Sequence, residues 1–172
     1  TTANQPSIYD GNTFHDVSFA SDGFLGANNS FHDLTFAESK TYGFGNFGSS
    51  TTQTIAGTLI ANGTCAAPLI IDGVVGSGNA VVTFVKTSGS ITINYVSLNN
   101  AHASGGATFT ANNTTDFGNN AGWIINPPSP QTLYWVGGSG NWTDPAHWSD
   151  GSGGGSIGCV PSIYDDVIFD VG

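Results

Sequence analysis

Residues 11 to 19 read GNTFHDVSF and residues 28 to 36 read NNSFHDLTF, one phrase repeated at a step of seventeen. Val17 is exchanged for Leu34 and Ser18 for Thr35, swaps that keep both size class and preference for extended backbone. A repeat this short is smaller than a domain and longer than a hairpin requires. It has the size of one coil of a β-solenoid, in which each coil lays its strands on those of the coil before. A chain built by stacking places like residue over like, and its function is to be sought on the outside of a rod.

Composition narrows the alternatives. The chain has 172 residues, 38% of them apolar and only 8% charged, with 25 glycines and with Lys40 and Lys86 as its only bases. Such a length accommodates one domain, or one domain and a small second module. Strong helix formers are scarce and β-branched residues, Asn, Gly and Ser abundant, which points to an all-β fold. Eleven Phe, five Tyr and four Trp supply material for a packed core, so the low charge does not indicate disorder. The net charge of −10 excludes nucleic acid and anionic lipid surfaces as electrostatic partners. No apolar run is long enough to span a membrane as a helix. There is no methionine and no signal-peptide pattern, so the chain is read as a processed form or a piece of something longer.

Strand signals follow one another without helices. Val17/Phe19 and Leu34/Phe36 alternate with Ser18 and Thr35 at period two, whereas Phe14 and Phe31 fall out of that parity, which predicts a bend at each His-Asp pair. A third coil is predicted over residues 54 to 63, with Ile55, Leu59 and Ile60 in the core. Further strands are predicted at 68 to 73, 80 to 85, 90 to 98, 107 to 111 and 122 to 125, separated by turn pairs such as Asn62-Gly63 and Gly105-Gly106. A β-sandwich and a right-handed parallel β-helix both fit such a string. Direct repetition favours the parallel β-helix, because a sandwich has no reason to repeat a phrase at a fixed step.

The expected β-helix covers residues 1 to 125. Residues 126 to 133 contain a Pro-rich stretch read as a stiff extended linker. Residues 134 to 172 form a small Trp-rich β module leading into a following repeat. Within that module Pro161-Ser162-Ile163-Tyr164-Asp165 repeats Pro6-Ser7-Ile8-Tyr9-Asp10 letter for letter, and Phe169-Asp170-Val171 echoes the stretch Phe14 to Val17. This is the pattern of a tandem array, whose partners are neighbouring copies of itself.

The series Trp135-x-Gly137, Gly140-Asn141-Trp142, Asp144-Pro145-Ala146-x-Trp148, Pro161 and Asp165-Asp166-Val167-x-Phe169 resembles a module repeated in very large surface and secreted proteins of bacteria, especially Bacteroidetes. Residues 90 to 124 look like the last coils of the β-helical segments that accompany it. The resemblance implies a repeat of a giant extracellular adhesin at the bacterial cell surface, of the kind that gliding bacteria export. It carries over no catalytic motif and no substrate.

Candidate chemistry is sparse. His15-Asp16 and His32-Asp33 invite an acid/base reading, but neighbours on a strand point to opposite faces, so stacking should instead set His15 over His32 and Asp16 over Asp33. They are read as corner residues. Cys65 and Cys159 form a disulfide in an oxidising compartment, stay free, or pair with neighbouring modules; an internal bridge would contribute about 4 to 5 kcal/mol in the chain-entropy model. Tyr134, Trp135, Trp142 and Trp148 are either a small core or a sugar-stacking patch for surface polysaccharide, the carbohydrate-binding alternative. Asp165, Asp166 and Asp170, with Asp10 and Asp16 in the related N-terminal stretch, offer hard oxygens to calcium, the one cofactor considered, although no known calcium loop is present. His147 is read as a packing or surface residue rather than a metal ligand. Thr51, Thr52, Thr54, Thr108 and Thr110 gesture at ice or crystal-surface binding without a regular repeat. No catalytic residues are assigned: there is no arginine, no nucleophile elbow and no zinc-type ligand spacing. The expectation is a non-catalytic shaft or spacer.

Overall fold

The structure, a computed structural model, describes residues 5–45, 48–73 and 80–170. The terminal residues of the two predicted segments, among them Val171, and positions 46, 47 and 74 to 79 lie outside the described residues. The described chain is all-β. It makes successive passes, the first two consisting of β1 (Ser7–Ile8) with β2 (Thr13–Phe19), and β3 (Gly23–Leu25) with β4 (Asn29–Phe36). The third is β5 (Thr41–Phe44), β6 (Thr51–Ile55) and β7 (Leu59–Ala61), and the fourth β8 (Leu69–Asp72), β9 (Val82–Lys86) and β10 (Ser90–Asn94). The fifth is β11 (Val96–Asn99), β12 (Ala101–Gly105) and β13 (Thr108–Asn112), and the last β14 (Thr115–Asp116) and β15 (Trp123–Asn126).

These passes build three parallel sheets. One has the order β1-β3-β5-β8-β11-β14, a second β12-β9-β6-β4-β2, and a third β10-β13-β15, with β7 pairing β4 and bridging to the third sheet through Asn62 and Asn94. In the repeated phrase Phe14 faces Phe31, Val17 faces Leu34 and Phe19 faces Phe36, so the step of seventeen is the stacking register itself. Later steps differ: Asn29 faces Gln53, Ile91 faces Phe109 and Phe109 faces Trp123. Length variation is absorbed in the connections, while the strands stay in register.

The core lies between the sheets. Leu25, Phe44, Phe84 and Ile93 are fully enclosed, and Phe44, Phe84, Trp123 and Phe109 form a chain of edge-on rings with centroids 5.6, 6.2 and 5.2 Å apart. One inward column is polar. Asn29 donates from Nδ2 to Gln53 Oε1 at 3.1 Å, Asn29 Oδ1 accepts from the Asn12 amide, and Gln53 Nε2 donates to the Ala27 carbonyl. Each amide is satisfied by the layer beside it, which makes a buried polar column tolerable. On another edge Asn62, Asn94, Asn112 and Asn126 fall in one register column, with hydrogen bonds from Asn94 to Asn62 and from Asn126 to Asn112.

Turns explain where strands end. The expected strand at 90 to 98 is broken at Tyr95, whose φ of 51° matches Asn113 at 48° one layer on. Asn100 and Asn119 repeat the device at the next bend, with φ of 52° and 53°. Left-handed backbone suits Asn because its short side chain bonds locally, and Asn119 Nδ2 donates to Asn100 Oδ1 at 2.6 Å. Short strands such as β3, β5 and β12 escaped the sequence reading, since three to five residues with Gly or Ala give too brief an alternation. Ile60 departs from expectation: it is 46% exposed while Leu59 and Ala61 are buried, because neighbours on a strand face opposite sides and Ile55, Leu59 and Ala61 already hold the inward parity.

After β15, residues 127 to 131 have no regular structure. Then β16 (Thr132–Trp135) pairs antiparallel with β17 (Trp148–Ser149) and parallel with β18 (Asp166–Ile168), with a 3-10 turn at Pro145–His147 before β17.

Two substitutions test this register. Leu59→Ala is expected to cost about 2 to 5 kcal/mol, and Ile60→Ser less than about 0.5 kcal/mol, in denaturant unfolding. Equal effects would mean that the assigned faces are wrong.

Candidate functional sites at a charged corner and a disulfide-tied joint

The bend predicted at the His-Asp pairs is present and explains the broken parity. In β4 Phe31 and Leu34 are both buried, an odd separation, with His32 and Asp33 turned outward between them. On the next pass this place falls between β6 and β7, at Ala56, Gly57 and Thr58. The bend also overturns one expectation. His15 and Asp16 do not point to opposite faces: His15 Nδ1 lies 2.9 Å from Asp16 Oδ1, and His32 Nδ1 lies 3.2 Å from Asp33 Oδ2. At a corner both consecutive side chains project outward, and the strict alternation of a flat strand fails.

Stacking does the rest. The imidazoles of His15 and His32 lie parallel with centroids 4.6 Å apart, and His32 Nδ1 is 3.7 Å from Asp16 Oδ1. Asp33 reaches across to the following layer, where Oδ1 accepts from the Thr58 amide at 2.6 Å and from its hydroxyl at 2.7 Å. Gly57 makes room for it, since a Cβ there would overlap both Asp33 Oδ1 and the His32 carbonyl. Lys86 completes the column by donating from Nζ to the carbonyls of Ala56 and Gly57. The hydrogen bonds from the Thr58 side chain and backbone, helped by His32 alongside, hold the Asp33 carboxyl below its usual value near 3.8.

The second site is the joint. Cys65 and Cys159 form a disulfide with Cα atoms 4.9 Å apart across 94 residues of sequence, and the Val160 amide donates to the Cys65 carbonyl. The bond ties the loop after β7 to the segment before β18. Beside it lies a cleft of about 450 Å³ whose walls include Tyr95, Phe117, Pro128, Leu133, Ile157 and Val160. Asp165 closes the segment: Oδ1 accepts from the Gln131 amide, and Oδ2 accepts from the Ser162 amide and hydroxyl.

The aromatic residues have divided roles. Trp148 is fully buried and donates its indole N–H to the Trp142 carbonyl at 2.8 Å. Trp135 carries stacked contacts from both His147, at 4.6 Å and 3°, and Phe169, at 5.6 Å. His147 is held by the Val136 carbonyl at 2.7 Å. Tyr134 is half-buried in β16 opposite Ser149. Of the four, Trp142 alone is strongly exposed, at 48%. The acids considered for calcium are not gathered: among the described residues the one set of three or more ligand atoms within reach of a common ion is that of His15, Asp16 and His32, which includes only Asp16 of them. Asp165 is committed to capping, while Asp166 and Asp170 are exposed. Of the threonines, Thr51 is buried, whereas Thr108 and Thr110 face outward and stack on Ser90 and Thr92.

The repeated phrase marks His15, Asp16, His32 and Asp33, and the two cysteines offer the disulfide as one of three outcomes, the one that forms. Thr58 and Lys86 carried no motif; only the register brings them to the corner.

Two outcomes follow. A carboxyl whose folded pKa is lowered contributes stability that is present above its unfolded value and is lost as pH falls through the folded one. Thr58→Ala should therefore flatten the loss of thermal stability below about pH 4, and an unchanged acid limb would contradict the assignment. Reduction, or Cys65→Ser with Cys159→Ser, should cost about 4 to 5 kcal/mol in denaturant unfolding, whereas a cost below about 1 kcal/mol would show that the joint does not restrain the chain.

No protein-family model, no curated protein and no solved structure matches this chain.

Proposed function

We propose that the chain is a structural repeat, a shaft or spacer, of an extracellular bacterial surface filament or adhesin, folded as a right-handed parallel β-helix carrying a small Trp-rich module. Its role is mechanical and non-catalytic. The observation that carries this reading is the like-on-like register of parallel strands over successive passes, tied by one disulfide to the module that repeats the PSIYD motif. Ladder hydrogen bonds run along the stack, so a load applied along it is shared by the whole column. The disulfide suits an oxidising exterior, and no helix among the described residues is long and apolar enough to cross a membrane. Partners are then further copies of the same repeat.

Single-molecule stretching of a concatenated chain tests the mechanical reading. Each unit should unfold as one event, and reduction should add about 30 nm of contour, the length of the stretch between the cysteines at ~3.4 Å per residue. Gradual extension without discrete events would remove it.

A carbohydrate-binding reading rests on the exposed ring of Trp142. Trp142→Ala on a glycan array is its test, because Trp148→Ala would empty a fully enclosed site and confound folding with binding. Loss of a sugar signal in a folded Trp142→Ala chain would favour this reading over the shaft.

A further inference from the structure

We propose that His15, Asp16 and His32 bind one late first-row divalent cation, Cu2+ or Zn2+, across two successive layers of the stack. The ligand atoms are already convergent. Asp16 Oδ1 lies 2.9 Å from His15 Nδ1 and 3.7 Å from His32 Nδ1, and the set lies within 4.8 Å overall. Donors bound to tetrahedral zinc at about 2.0 to 2.1 Å sit about 3.3 Å from one another, a value that the two observed separations bracket.

The chemistry of the donors selects the metal class. Two imidazole nitrogens with one carboxylate suit copper and zinc, whereas calcium takes six to eight oxygens and would find only those of Asp16 and Asp33. The side chains are 78%, 61% and 51% exposed for His15, Asp16 and His32, so an ion has a direct route in and water can fill its remaining positions. Asp33 supplies the outer support. Thr58 fixes one of its oxygens, and the other lies 3.2 Å from His32 Nδ1, within easy reach of an ion held there.

Binding has a proton balance. A metal on Nδ1 requires that nitrogen to give up the proton it shares with a carboxylate, so a neutral imidazole carries its remaining proton on Nε2. A protonated one releases a proton to solvent. Protons and the metal compete for the same ring nitrogens, so affinity falls as the solution is acidified. Among the described residues neither of the other two histidines belongs to a set of three such ligands. His147 Nδ1 is engaged by the Val136 carbonyl beneath the Trp135 ring, and His102 Nε2 is buried.

The geometric cause is the step of seventeen. Register sets the second FHD phrase on the first, so the histidines belong to neighbouring layers, and an ion between them pins the edge strand β2 to β4. This holds whether or not the chain serves as a shaft.

The test is calorimetric titration of the untagged, disulfide-intact chain with Cu2+, Zn2+ and Ca2+ at pH 7.5 and pH 5, with electron paramagnetic resonance of the copper form. Expected are one equivalent of Cu2+ or Zn2+, no heat from Ca2+, imidazole nitrogen couplings, and at least tenfold weaker binding at the lower pH. His15→Ala, His32→Ala and Asp16→Asn should each weaken binding at least tenfold. Their exposed positions spare the fold, which far-ultraviolet circular dichroism checks. Unchanged affinity in the double variant His15→Ala/His32→Ala, a copper spectrum without nitrogen couplings, or no saturable binding up to about 1 mM would overturn the proposal.

Discussion

Parallel register is the constraint on which the rest of this molecule depends. Each backbone N–H and C=O in a stacked strand is satisfied by the layer above or below, so the side chains of one layer must fit those of the next. Apolar columns close into a core, and polar columns survive only where neighbours complete one another. The Asn29–Gln53 pair inside and the asparagine column ending at Asn126 are two solutions to that requirement. The tyrosine and asparagines with positive φ are a third, because they let the chain turn at matching heights in successive passes.

The same constraint produces the charged corner. Once His15 is placed over His32, two rings face one another with their Nδ1 atoms beside the carboxylates of Asp16 and Asp33. The third pass carries no histidine. There Gly57 makes space and Thr58 supplies donors, so that Asp33 is anchored from below, and Lys86 bonds to the carbonyls on the far side of that layer. Chemistry concentrates at the N-terminal layers because only these contain both copies of the phrase.

The Trp-rich segment obeys a different economy. It has few strands and little apolar material, so its rings act as core: Trp148 fills the centre, and Trp135 carries His147 and Phe169 upon it. A covalent bond to the parallel-sheet part restrains a module whose own core is small. The three prolines before it donate no ladder bonds, as proline lacks the N–H, while the Gln131 carbonyl that follows them accepts from the Asp166 amide.

Much of this was legible in the residues. The repeated FHD phrase disclosed the register, the bend and the stacking of His15 on His32, because direct repetition encodes translation along the stack. Composition disclosed the all-β class, since Gly, Asn and β-branched residues disfavour helices. What the chain alone left open is whatever depends on a corner. Strict alternation puts His15 and Asp16 on opposite faces, which fails because the corner shifts the parity by one residue, and the expectation of Ile60 inside beside Leu59 fails because alternation does hold there and turns it outward. The pairing of Cys65 with Cys159, and the arrival of Thr58 and Lys86 beside the histidine corner, were decided by the tertiary structure alone. Residues brought together by unequal steps along the chain share no local pattern, and only the completed stack fixes which of them meet.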